Sequence, residues 1–308
     1  MKKILTIAIA LLMGGVAYTY AQGDTEIKYD SLANFVGKNA KAYNGQELYL
    51  KGLSKSSHSF GYSGFILNYK EDNDIMNEEK NIYKPNNNYN SRYEDLVSKY
   101  FHVLDVIEHP KVNEAEEYQD IFYLKLQELS SSDIVYYRYD TKAEFTFPFV
   151  VRGYLEKQKE LLHGRKYVVS DNVLKASRNI VTGTALVFQS GEQWECIDVT
   201  IDNKENAIAV VLKNKQGLRT SIPISHLEET EGMRKVFTAE EATALTKKYN
   251  SNNFRRILQN KIRTGMTKDM TMLAWGKPTE IEKEGKNEVW VYPMGKLTFS
   301  GDKIIKSN

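Results

Sequence analysis

The sequence predicts a mainly β chain with a C-terminal α+β domain, in which two tandem small β-barrel modules come first. Three observations predict this. An ordered set of four strand-like segments occurs twice between residues 41 and 232. Beyond it, capping and glycine–proline signals mark short helices that give way to alternating strands. Twenty Tyr against 12 Phe and three Trp suit half-buried sheet surfaces, because the ring is apolar and its tip polar. A chain of 308 residues also exceeds one comfortable core, so several domains are expected.

Residues 1–21 have the parts of a secretory signal peptide. Lys2 and Lys3 give a positive start, Ile4 to Val16 is apolar, and Thr19-Tyr20-Ala21 places small residues before a cut at Gln22. Gly14 and Gly15 interrupt the apolar run, which falls short of the roughly 20 residues a membrane span needs. No later stretch approaches that length, so no transmembrane span is expected in the mature chain. Removing the two lysines leaves 40 basic against 40 acidic residues. That balance lacks the basic excess that nucleic-acid binding needs. Cys196 is the only cysteine, so there is no internal disulfide and no cysteine at the cut to carry a lipid. The expected location is periplasmic or secreted. Residues 22–40 form an N-terminal segment ahead of the first module.

Module 1 is expected at 41–150 and module 2 at 163–232. Asn44-Gly45 before Glu47-Leu48-Tyr49-Leu50 matches His163-Gly164 before Lys166-Tyr167-Val168-Val169, a turn glycine and then a strand. Phe101 to Ile107 matches Trp194 to Thr200, each with Asp-Val near its end. Phe122 to Leu126 matches Ala209 to Lys213, and Ile134 to Tyr139 matches Leu218 to Ile224. The glycine-to-Asp spacing is 60 residues in the first copy and 34 in the second. An Asn-rich stretch at 71–92, of loop composition, accounts for the difference, and surface insertions of that size cost little closure entropy. Four or five short strands in so few residues are expected to curl into a barrel, which removes exposed edges. In strand order alone, this middle region weakly resembles the SH3-like modules of bacterial envelope proteins.

A connecting helix is expected at 151–162, with Tyr154, Leu155, Gln158, Leu161 and Leu162 on one side. The C-terminal domain is expected at 239–308. Thr238-Ala239-Glu240-Glu241 matches a capping box and starts a helix. Asn250 to Asn253 breaks it, and a second short helix runs through Phe254, Ile257, Leu258 and Ile262. Gly265 permits a turn, Thr267 can cap the next short helix, Gly276 can end it, and Pro278 forbids its continuation. Alternating segments follow at Glu280, Glu288, Lys296 and Lys303.

Ile262-Arg263-x-Gly265-Met266-Thr267, the spacing from Gly265 to Gly276, and Pro278 make residues 250–308 resemble the SmpA/OmlA (BamE-like) domain family. Trp290-x-Tyr292 and Leu297-x-Phe299 resemble that family's closing hairpin. The resemblance implies two helices against a three-stranded antiparallel sheet. It also implies a non-enzymatic role, with outer-membrane assembly or maintenance as the family's best-known setting. Gly265, Met266, Thr267, Gly276, Pro278, Trp290 and Tyr292 match a structural motif, not a site.

The search for chemistry finds little. The histidines are His58, His102, His109, His163 and His226, and none sits at metal-ligand spacing from another His, Cys or acid. Gly61-Tyr62-Ser63-Gly64 lacks the strand-to-helix spacing of a nucleophile elbow. Cys196 lies inside a strand pattern, and its repeat counterpart is Val103, so we read it as a core thiol. The rival reading makes it a nucleophile paired with His163 or His226, as in secreted cell-wall hydrolases. Asp105 and Asp198 recur once per module and read as backbone-bonding groups. Tyr136, Tyr137, Arg138 and Tyr139, with Tyr123, are a candidate ligand platform that could stack on sugar rings, against ordinary cross-strand packing. No catalytic residue, metal or cofactor is expected. The function expected is an exported, non-enzymatic cell-envelope protein that binds another protein or an envelope polymer. The alternatives are a hydrolase using Cys196 and a carbohydrate-binding protein using the Tyr-rich face.

Overall fold

The structure, a computed structural model, describes residues 28–73, 76–86, 89–202 and 206–307. The expected signal peptide at 1–21 lies outside the described residues. The chain is mostly β, in three antiparallel sheets. Its elements are β1 (Glu47–Leu50), β2 (Phe65–Ile66), α1 (Tyr93–Leu96), β3 (Tyr100–Glu108), β4 (Ile121–Glu128), β5 (Ile134–Asp140), β6 (Phe149–Val151) and α2 (Arg152–Leu162). There follow β7 (Lys166–Val169), α3 (Asp171–Ala176), β8 (Gln193–Asp202), β9 (Ala207–Asn214), β10 (Arg219–Pro223), β11 (Val236–Thr238) and α4 (Ala239–Tyr249). The last are α5 (Ser251–Leu258), α6 (Lys268–Trp275), β12 (Glu280–Glu284), β13 (Asn287–Tyr292), β14 (Gly295–Ser300) and β15 (Lys303–Ser307).

The first sheet has the order β2-β5-β4-β3-β1-β6, and the second β10-β9-β8-β7-β11. Leaving out β2, the two orders correspond strand for strand. The details also correspond. The Gly45 N–H donates to the Val103 carbonyl at 2.9 Å, and the Gly164 N–H to that of Cys196 at 2.8 Å. Each long strand then bulges, between Val103 and Asp105 in β3 and between Cys196 and Asp198 in β8. In each bulge the Asp carboxylate accepts the N–H of the next residue at 2.8 Å. An extra residue there bends and twists the strand, and the carboxylate replaces a missing ladder partner.

The expected barrels do not form. The outer strands, β2 and β6 in one sheet and β10 and β11 in the other, pair on one side only, so both sheets are open. Closure is unnecessary at three of these edges, because local segments cover β6, β2 and β10. On β6, the Asn34 side-chain amide acts as a substitute strand, donating to the Phe149 carbonyl at 2.9 Å and accepting the Val151 N–H at 2.8 Å. On β2, Asn81 to Tyr83 bridges back to Phe65 to Leu67. On β10, the Ile180 N–H donates to the Arg219 carbonyl and the Thr220 hydroxyl to that of Arg178.

Helix α2 begins directly after β6 and sits between the first two sheets. Its Tyr154 touches both hydrophobic clusters, while Leu155, Leu161 and Leu162 belong to the second. That second cluster also takes in Tyr49 and Val150 from the back of the first sheet. A third cluster joins Val168 and Phe237 to α4, α5, α6 and the last sheet.

The expected two-helix, three-stranded BamE-like domain is not what forms at the C-terminus. Three helices follow Thr238, and from Glu280 onward the chain is strand and turn alone, a four-stranded meander β12-β13-β14-β15. The turn at Gly301-Asp302 sends β15 back onto β14. Its far edge is closed by the motif residues themselves, since the Gly265 N–H donates to the Ile304 carbonyl and the Ile304 N–H to that of Met266. Thr238 caps α4 with a complete capping box, and Thr267 caps α6 by accepting the Met270 N–H. The helix break is Asn250 alone, at φ +66°, while Ser251 to Asn253 already belong to α5. Gly276, at φ +76°, ends α6, and its carbonyl accepts the Tyr292 hydroxyl at 3.0 Å. Pro278 follows it, and Trp290 packs on Phe299.

Replacing Asn34 by Ala leaves one N–H and one C=O of β6 without partners, so unfolding free energy should fall by about 1–3 kcal/mol. The readout is a lower urea midpoint at unchanged slope; an unchanged midpoint would show that the β6 edge is satisfied by other means.

Candidate functional site

The five platform residues do not share a face. Strand alternation turns Tyr137 and Tyr139 into the first core, 8% and 1% exposed, among Phe35, Tyr43, Phe65, Phe147 and Phe149. The Tyr139 hydroxyl donates to the Gly37 carbonyl at 3.0 Å. Tyr136 and Arg138 lie on the opposite face with Tyr123, which pairs across from Arg138. That face is covered too. Tyr69, in the short turn Tyr69–Glu71 that leads into the insertion, packs on Tyr123 at 5.5 Å and on Tyr136 at 5.0 Å between ring centres. The exposed platform expected from the sequence is therefore absent.

In its place, the insertion folds over the end of β5 and encloses a cleft of about 360 Å³. Strand β2 pairs with β5 at Tyr136 and Tyr137, and the Arg138 N–H donates to the Gly64 carbonyl at 2.8 Å; the pairing stops there and leaves Tyr139 and Asp140 to the insertion. Beneath the cleft lie Tyr137, Tyr139 and Phe147, which belong to the core and offer it little surface, with Phe35 partly open. The rim is polar: Arg138, Asp72 and Asp140, with the amides of Asn73, Asn77 and Asn90 and the exposed ring of Tyr89.

Asp72 holds this arrangement together. Its side chain is 2% exposed, and the Arg138 Nε lies 3.2 Å from Oδ2. The Tyr123 hydroxyl donates to Oδ2 at 2.5 Å, and the Asn77 amide to Oδ1 at 2.6 Å. A second buried carboxylate anchors the other end of the insertion. Glu128 is fully buried and receives Lys84 at 3.0 Å, Lys99 at 3.3 Å, and the hydroxyls of Ser130 and Ser131. The Tyr83 hydroxyl lies 3.2 Å from it and donates to Asp133 at 2.7 Å. Burial pushes the Glu128 carboxyl up, but Ser130, Ser131, Lys84 and Lys99 outweigh it and leave it well below the ordinary carboxylate range. Sequence reasoning missed both anchors. The only signal for Asp72 was its place at the start of the Asn-rich insertion.

Cys196 sits fully buried at the bulge of β8, and its thiol donates to the Asp198 carbonyl at 3.5 Å. Burial pushes this thiol up to about 11, the reverse of what a nucleophile needs. Among the described residues, neither His163 nor His226 is hydrogen-bonded to it. Burial and the nearby Lys235 charge lower the His226 pKa. Gly61-Tyr62-Ser63-Gly64 forms no elbow; Tyr62 bridges to Ser91, and a Cβ on Gly61 would lie 2.0 Å from the Ser91 carbonyl oxygen. Among the described residues, no group of three or more His, Cys, Asp or Glu could hold a metal ion, and no helix is long and apolar enough to cross a membrane. Comparison with family models, with curated proteins and with solved structures finds no match to the chain.

A carboxyl held low in the folded state adds stability above its ordinary value of about 4.3 and loses that contribution as pH falls below it. Glu128→Gln should therefore lower stability by about 1–3 kcal/mol at pH 7. Urea midpoints taken from pH 7 down to about pH 2 should draw progressively closer to those of the unaltered protein, the gap narrowing as pH falls below the ordinary carboxylate value. Curves that stay parallel throughout would remove Glu128 from the acid limb.

Proposed function

We propose that this chain is an exported, non-catalytic protein of the cell envelope that binds an envelope glycan in the cleft between β5 and the insertion. The observation that carries the reading is the composition of the cleft's lip, where the exposed ring of Tyr89 stands beside the amides of Asn73, Asn77 and Asn90, the paired Arg138 and Asp72, and Asp140. Sugar rings present C–H faces that rest on aromatic surfaces, while their hydroxyls exchange hydrogen bonds with amide and carboxylate side chains. Arg138 is matched by Asp72, and Asp140 adds a further carboxylate, so the rim repels anions and favours a neutral, hydroxyl-rich ligand. The volume falls within the range of small-ligand pockets, roughly 300–1,000 Å³. Export rests on the leader-like residues 1–21. Against a Cys196 hydrolase stand the burial of the thiol, its raised pKa and, among the described residues, the want of a bonded imidazole.

The test uses mature protein, purified murein sacculi and soluble N-acetylglucosamine oligomers. Binding is expected, weakened about tenfold (1.4 kcal/mol) or more by Tyr89→Ala with Asn90→Ala, and unchanged in Cys196→Ala. No binding to either probe, or turnover that Cys196→Ala abolishes, would overturn the reading.

A further inference from the structure

Among the described residues four aromatic side chains stand exposed, Phe60, Tyr89, Tyr100 and Phe145, and three of them gather at the cleft beside β5. Tyr89 lines it, as does the exposed Met76. Phe145 falls in the short turn Glu144–Thr146, between the lining residues Ala143 and Thr146, and is 94% exposed. Phe60, 64% exposed, is tied to the insertion. Its carbonyl accepts the Asn86 and Asn90 amides at 2.7 and 2.9 Å, and Asn90 lines the cleft. In the core below, rings pack on one another, yet among the described residues none of these three stacks on another ring. Single exposed apolar residues are ordinary, whereas a cluster beside a cleft marks a surface that something else covers.

Phe145 follows β5, while Tyr89 and Phe60 stand with the insertion, so the rings flank the cleft that those two segments enclose. Neither Phe60 nor Phe145 is part of the lining, so a ligand contained in the cleft would leave both in water. We propose that the cleft holds an internal stretch of a glycan polymer, one arm of which leaves over Phe145 and the other over Tyr89 and Phe60. This rests on the glycan reading and adds the class of ligand, a neutral polymer gripped along its length and not a terminal sugar. Linked sugar rings offer a succession of C–H faces, which matches a succession of exposed aromatic rings. The charges nearest the three rings along the chain favour no ion. Exposed Lys55 and Glu144 are of opposite sign, and Arg92 is paired with Asp95. Lys142 is held by Asp120, and Arg138 by Asp72.

Calorimetry on the mature chain with N-acetylglucosamine oligomers, from the dimer to the hexamer, tests this. The hexamer should bind about tenfold more tightly than the dimer. Phe60→Ala and Phe145→Ala should each weaken the hexamer about threefold or more and leave the dimer unchanged. The unfolding midpoint should stay in place, since both rings are exposed. Equal affinity for dimer and hexamer, equal weakening of both by the variants, or a hexamer indifferent to either variant would each overturn the proposal while leaving the glycan reading in place. Failure of every oligomer and of murein sacculi to bind would overturn that reading and the proposal with it.

Discussion

The outer strands of these sheets carry backbone N–H and C=O groups that no neighbouring strand can satisfy, and much of the architecture follows from how those groups are covered. An exposed edge is a template for wrong pairing, and a buried unpaired group costs as much as a lost hydrogen bond. The chain never closes a sheet on itself. It brings a short piece of polypeptide, or a single side chain, to four of the edges: Asn34 at β6, Asn81 to Tyr83 at β2, Arg178 to Ile180 at β10 and Gly265 to Met266 at β15. Strand β12 needs no cover, because Glu280, Lys283 and Glu284 line it with exposed charge. Open sheets with guarded edges leave room beside β5 that a barrel would have filled.

That room becomes a cleft because the insertion is tied down at both ends. Asp72 and Glu128 are buried anions whose desolvation is compensated only by several converging partners, so each fixes the geometry of what it touches. Removing one partner would leave charge stranded in the interior, which makes both clusters more demanding than ordinary surface pairs. Asp120 is a milder case. Lys142, opposed by partial burial and assisted by Lys38 and Thr141, holds its carboxyl down to about 2, and the lysines remain in water.

How much of this could be read in advance depended on the distance over which each signal acts. Alternation shows that Tyr137 and Tyr139 share one face and Tyr136 and Arg138 the other, because side-chain direction in a strand is a local property. Turn glycines and the Thr238 and Thr267 caps are local for the same reason. Whether a sheet closes is set by contacts such as Asn34 on Val151, separated by 117 residues, and no periodicity announces them. Asp72 meets Tyr123 across 51 residues of intervening chain. The C-terminal sheet carries a different lesson. Alternation marked four strands, up to Lys303-Ile304-Ile305, whereas the family resemblance implied three, and the local pattern was the sounder guide.

Cys196 lies at a kink in the middle strand of a five-stranded sheet, flanked by β7 and β9 and sealed by side chains. Oxidants and other sulfhydryls can reach it only after the strands around it separate. While the fold is intact, no covalent dimer can grow from this position even in an oxidising milieu. A covalent dimer needs an oxidant and two molecules whose second sheets are open at once, so its formation is second order in the opened form.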